Sequence, residues 1–139
     1  MVSNGIDINF TNDISKLSKQ MEKEFEKRML KASMRVHREL GTVLSGQRTG
    51  ILYKVPGTKR MYRASKVGEP PASRLGHLRT SYKYLVKGEG SKAEGYVGSP
   101  LPYSHYLEYG TAKMAPRPHL KVAFQQSKEE VQNLFKDLL

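Results

Sequence analysis

Four histidines are the first residues to test for chemistry, because imidazole can ligate a metal or move a proton near neutral pH. His37, His77, His105 and His119 lie far apart and none has a partner at the H-x-x-x-H spacing that puts two rings on one helix face. The chain has no cysteine, which excludes thiolate zinc, a disulfide framework and a cysteine nucleophile, and suits a reducing compartment. Ser104-His105 beside Glu108 has the residue types of a hydrolase. There is no G-x-S-x-G elbow, however, and adjacent side chains point in different directions, so the pair cannot make a local nucleophile–base contact. Glu69 stands between Gly68 and Pro70 without a second carboxylate, and reads as a turn residue paired with a nearby arginine rather than as a general base. Gly88-Glu89-Gly90 has no following GK[ST] and no helix to make a phosphate cradle. The expectation is a chain with no catalysis, no metal and no cofactor.

Charge is the stronger signal. The 139 residues carry a formal net charge of +11. Residues 1–44 hold eight Lys/Arg against six Asp/Glu, residues 45–87 ten against one, and the rest balance. A concentrated basic segment suits a polyanion or an acidic protein face. Arg48, Lys54, Lys59, Arg60, Arg63, Lys66 and Arg74 are the candidates to face DNA or a partner, with Arg79 close behind and Tyr53 and Tyr62 between them. The segment is too rich in Gly and Pro for a base-reading helix, so contact with DNA would be nonspecific.

The elements that must position these residues follow from periodicity. From Ile14 to Leu44, apolar residues recur at Leu17, Met21, Phe25, Met29, Ala32, Val36, Leu40 and Val43, one helix face about eight turns long. Asp13 or Ser15 is the candidate N-cap, residues 1–12 are a flexible lead-in, and Gly41 could end the helix early. On the opposite face, Glu22 and Glu26 partly offset Lys19, Lys23 and Lys27. Residues 45–72 read as an extended basic loop in which Ile51–Val55 and Met61–Arg63 could pair around Pro56-Gly57, with Gly68, Pro70 and Pro71 as structural turn residues. Ser73–Tyr82 suits a short helix with Leu75 and Leu78 on one side. Tyr82–Lys87 and Ala93–Ser99 suit two strands, and Tyr103–Tyr109 a helix or turn ended by Gly110. A last helix beginning near Pro118 would present Leu120, Phe124, Ser127, Val131, Leu134, Phe135 and Leu138. The expected architecture is α+β, one domain over residues 1–139. A small antiparallel sheet is packed by a long N-terminal and a C-terminal helix, with the basic loop extruded. No signal peptide or membrane span is expected, since no apolar run approaches the length either needs.

Two ordered blocks carry a resemblance. Gly68-Glu69-Pro70-Pro71-Ala72 leads to Gly76-His77-Leu78-Arg79-Thr80-Ser81; Tyr103, Tyr106, Leu107, Glu108, Tyr109, Gly110 and Thr111 lead to Arg117, Pro118, His119 and Leu120. Over residues 20–139 the chain resembles the small neck proteins of long-tailed bacteriophages, the tail-completion, head–tail joining or minor tail proteins. It departs from their pattern at His77, at Ser73-Arg74, and at His119, where the family usually has Phe. The resemblance implies a structural virion protein, made in the host cytoplasm. It implies a homo-oligomeric ring, a hexamer, at the head–tail junction around the DNA channel. Its partners would be copies of itself and other neck proteins: a stopper or adaptor, a tail terminator or the tail tube. Tyr103, Tyr106, Glu108, Tyr109 and Arg117 are then subunit-interface candidates, held on a rigid corner by Gly110, Pro116 and Pro118. The alternative is a stand-alone nonspecific nucleic-acid-binding protein.

Overall fold

Residues Asn4–Ser45 form one continuous helix, α1, in a computed structural model that describes residues 4–73 and 76–136, with side chains of α1 from Lys16 onward. At 1.5 Å per residue it is about 63 Å long. It starts ten residues before Ile14, so residues 4–12 are helical rather than a flexible lead-in, and neither Asp13 nor Ser15 caps it. Each residue added to a nucleated helix gains a backbone bond, and no proline interrupts the run. Gly41 does not end it either. A Cβ at Gly41 would meet nothing within 4 Å, so Gly41→Ala removes only unfolded-chain freedom. Its unfolding free energy should rise by about 0.5–1 kcal/mol, measured by urea denaturation.

The stripe on α1 becomes a core in its second half. Leu40, Val43 and Leu44 bury against Tyr82 and Ala123, with Leu78, Val97, Leu120 and Val122 packed around them. Phe25 meets Phe135 with ring centroids 5.5 Å apart, yet Leu17 and Met21 remain 57% and 48% exposed. Helix α4, Leu120–Phe135, lies along α1. Its buried stripe keeps Ser127 as expected but turns toward Ala123: both are fully buried, whereas Phe124 is half exposed. Two small residues four apart let the helix axes come close, and a phenylalanine at that contact would hold them apart. Arg35 of α1 ties the pair together by donating from Nε and Nη2 to Glu130 while its Nη1 reaches Glu39 at 2.8 Å. Leu138 lies outside the described residues.

Strands β1 (Leu52–Lys54) and β2 (Met61–Arg63) form one two-stranded antiparallel sheet. After the short helix α2 (His77–Ser81), β3 (Lys83–Lys87) and β4 (Glu94–Gly98) form a second. Leu85 pairs with Tyr96 on the solvent face, and Tyr84 with Val97 on the other. That second face rests on α1: His37 Nε2 donates to the Tyr82 carbonyl, 3.0 Å away, and its ring lies 5.1 Å from Tyr84. Gly95 lies so close to α1 that a Cβ there would fall 2.1 Å from Ser33 Oγ. The β3–β4 turn is fastened to α1 by Glu26, whose carboxylate accepts from Gly90 N at 2.5 Å, with Glu22 alongside. These two acids therefore face the sheet turn instead of lying among the lysines. Helix α3, Pro102–Tyr109, completes the α+β fold.

Candidate functional site

Gly110 ends α3 at φ 78°, and its N–H donates to the Tyr106 carbonyl at 2.8 Å. A Cβ at Gly110 would lie 2.9 Å from both the Met114 carbonyl and Pro116, so glycine is needed for conformation and for space. The chain then closes a small loop through the Thr111–Met114 bridge and returns to α3, where Arg117 N donates to the Leu107 carbonyl at 2.6 Å. Pro118 sits one residue outside the next helix rather than in its first turn, because His119 occupies the N-cap position of α4.

The N-terminus of α4 is capped from a distance. His119 has no side-chain cap bond. Instead Glu108 on α3 accepts from the backbone N–H groups of His119, Leu120 and Lys121 at 2.9, 2.9 and 3.0 Å. These are donors a helix start leaves without intrahelical partners, and a carboxylate there also meets the positive end of the helix dipole. Burial pushes the Glu108 carboxyl up, but the three N–H donors and neighbouring His119 outweigh it and hold the group below the usual carboxylate range. His119 is fully buried; its Nδ1 donates to the Arg117 carbonyl at 3.0 Å and its Nε2 meets the Tyr82 hydroxyl at 2.6 Å. Burial raises the Tyr82 phenol to about 12, against a small pull down from Ser104. Arg117 reaches the other way, to the carbonyl and hydroxyl of Ser65. Glu108 and Arg117, expected at a subunit interface, are thus committed within the chain. Tyr103, Tyr106 and Tyr109 are exposed, Tyr109 at 71%, and His105 packs its ring 4.8 Å from that of Tyr109.

In the basic segment one candidate also turns inward. Arg48 is 9% exposed, donating to the carbonyls of Val43, Gln47, Pro70 and Pro71 at 2.6–3.2 Å. It ties the end of α1 to the Pro-Pro run and is not a cation available to DNA. The reason is supply: the last carbonyls of a helix lack intrahelical donors, and that of Val43 has only a long backbone bond from Gly46 N at 3.5 Å. Glu69 likewise takes Thr49 and the backbone N–H groups of Thr49 and Lys66, not an arginine, as hydrogen-bond partners. These bonds lower its carboxyl to about 2.

Lys54, Lys59, Arg60, Arg63 and Lys66 are exposed on and around the β1–β2 hairpin, which forms around Pro56-Gly57 as the composition suggested. Tyr53 and Tyr62 stack across it with centroids 5.8 Å apart. The opposite face presents Leu52, Lys54, Met61 and Arg63, with Leu52 and Met61 about half exposed. Arg74 lies outside the described residues, as does Leu75. Gly68, Pro70 and Pro71 make the turn that Arg48 and Glu69 hold.

Ser104 donates to the Leu101 carbonyl, and among the described residues no group of His, Asp or Glu could hold a metal ion. Among the same residues no helix is long and apolar enough to cross a membrane. The arrangement offers two surfaces for association, an aromatic corner and a basic, partly apolar hairpin. A family model described as "Bacteriophage HK97-gp10, putative tail-component" matches residues 9–110. The match spans α1, the hairpin, β3, β4 and α3, and ends where Gly110 turns the chain. No curated protein and no solved structure gives a significant match.

Proposed function

Because the chain belongs to the HK97-gp10-like family of phage tail components, we propose that it forms a homo-oligomeric ring, a hexamer, at the junction of head and tail. The ring surrounds the channel through which the genome passes and stacks on other neck proteins, a stopper or adaptor on one side and a terminator or tail tube on the other. The carrying observation is surface left uncovered on the single chain. Leu52 and Met61 of the hairpin and the corner residues Tyr103, Tyr106 and Tyr109 all face solvent. A free two-stranded ribbon is marginally stable in water, and tyrosines with apolar rings and polar tips are favoured at protein interfaces. The hairpin extends to a neighbouring subunit or ring and orders fully on assembly, and the corner tyrosines pack against the adjacent copy.

The test is electron microscopy of lysates from a phage carrying a nonsense codon in this gene, complemented by the parent or by Lys59→Gln/Arg60→Gln/Arg63→Gln. Without complementation, full heads and separate tails are expected. The triple variant should fold normally yet restore joined particles poorly, at least tenfold below the parent. Intact, infectious particles from the nonsense lysate would overturn the assignment and leave a stand-alone nucleic-acid binder.

A further inference from the structure

The near-balance of charge along residues 1–44 conceals a spatial separation. Lys16, Lys19, Lys23, Lys27, Lys31 and Arg38 follow one another on α1 at intervals of three, four, four, four and seven residues, and all are exposed. At 100° per residue those intervals keep them within one arc, opposite the buried stripe of Ala32, Val36 and Val43. The acids of the helix lie elsewhere: Glu26 bonds the sheet turn with Glu22 beside it, Glu24 pairs with Arg28 and Glu39 with Arg35. Among the described residues none of the six cations makes an ion pair, though Lys27 and Lys31 sense Glu24, and Arg38 senses Glu130, at longer range. Leu30 and Met34 are the apolar residues exposed between them. Beyond Arg38 the ridge reaches a shallow depression shared with Ser45 and Arg79, where Arg79 Nη1 donates to Ser45 Oγ at 2.6 Å.

We propose that this ridge of α1, rather than the basic hairpin, is the surface that contacts the sugar–phosphate backbone of duplex DNA. From Lys16 to Arg38 is about 33 Å along the helix axis, close to the roughly 34 Å of one duplex turn. The six ridge cations make no ion pair among the described residues, and no Phe, Tyr or Trp and a single exposed amide, Gln20, stand among them on that arc, a composition that suits sequence-independent phosphate contact. The hairpin mixes Lys54 and Arg63 with half-exposed Leu52 and Met61 on one face and stacks Tyr53 on Tyr62 on the other, surfaces suited to protein. Duplex DNA is chosen over other polyanions on the strength of the proposed neck position. Binding is read on the free chain, so failure here and failure of particle assembly are separate results.

Two charge-matched variants decide it. One carries Lys19→Gln, Lys23→Gln, Lys27→Gln and Lys31→Gln; the other carries Lys54→Gln, Lys59→Gln, Arg60→Gln and Arg63→Gln. Each is titrated against a fluorescein-labelled 30-bp duplex by anisotropy between 50 and 200 mM salt, with helicity checked by circular dichroism. The ridge variant should bind at least tenfold more weakly at 50 mM. Its log–log salt slope should flatten by about 3 to 4, near 0.9 for each phosphate no longer neutralised. The hairpin variant should stay within threefold of the parent. Equal weakening would mean net charge alone is read, and an unaffected ridge variant would remove the site; either overturns the proposal. Competition by polyglutamate as effective as that by unlabelled duplex at equal charge would also overturn it, in favour of an acidic protein. If the fourfold ridge variant folds poorly, Lys27→Gln/Lys31→Gln answers the same question with an expected slope change of about 2.

Discussion

Glu108→Ala should lower the unfolding free energy by about 3 kcal/mol or more, the largest effect expected of any single polar substitution in the corner. The carboxylate is 9% exposed and receives three backbone N–H bonds from the first turn of α4. Alanine leaves those donors in a partly closed site where water replaces the carboxylate incompletely, and it removes a negative charge from the positive end of the helix dipole. Glu108→Gln keeps the shape and one accepting oxygen, so its effect should be about half as large. The pH dependence has a fixed sign. The folded carboxyl lies below its ordinary value of 4.5, so its contribution is fully present above that value and is lost as pH falls through the folded one. Urea denaturation of parent and Glu108→Ala at pH 7 and pH 3 should therefore show a large difference at neutrality and a much smaller one in acid. Equal stabilities at pH 7 would show that the cap does not hold α4.

Arg48→Met should cost a similar amount, about 3 kcal/mol or more, although methionine preserves most of the stem. Four carbonyls lose the guanidinium at once: Val43 in the last turn of α1, which keeps only a long bond from Gly46 N, Gln47 just beyond it, and Pro70 and Pro71. Arg48→Lys should rescue only part of this, because one ammonium cannot reproduce a planar fork spread over carbonyls on two segments. By contrast, neutralising exposed Lys59, Arg60 and Arg63 should change stability by less than about 0.5 kcal/mol per site. Urea midpoints separate the two classes. A fully stable Arg48→Met protein that fails only in association would show that Arg48 works at the surface after all.

How far a residue's place could be read from sequence depends on how distant its partner is. The long helix, the hairpin around Pro56-Gly57, the β3–β4 pair and the Gly110 stop were legible because periodicity and turn chemistry are local. The start of α1 was not, since nothing in residues 4–12 forbids helix and propagation from a formed helix overrides weak propensity. The rotation of α4 was hidden because Phe124 looks like core while Ala123 looks neutral; Ser127 stood on the expected face, and only the approach of α1 favours pairing it with Ala123. Arg48 looked like any other cation in a basic run. Its different fate depends on carbonyls more than twenty residues away at Pro70 and Pro71. Glu108 and His119 belonged to a recognisable block, but their roles as cap and buried hydrogen-bonding ring required a tertiary meeting with α4 and Tyr82. The ridge on α1 escaped a count of charges along the chain, because segregation around a helix is a matter of angle.

The hairpin has a consequence for how the free chain behaves while copies accumulate. Each of its strands is three residues long and each has an outer edge without a partner strand. Open edges carrying Leu52 and Met61 invite sheet extension between molecules, the first step toward fibrous precipitate. Lys54 and Arg63 stand on the same face, and Lys59 and Arg60 crowd the turn, so two hairpins approaching edge to edge bring eight like charges together. Salt that shortens the Debye length to about 8–10 Å weakens that repulsion without abolishing it at contact distance. The cations thus act as a spacer that keeps unassembled chains colloidally apart, and the barrier falls only for a partner that answers their charge.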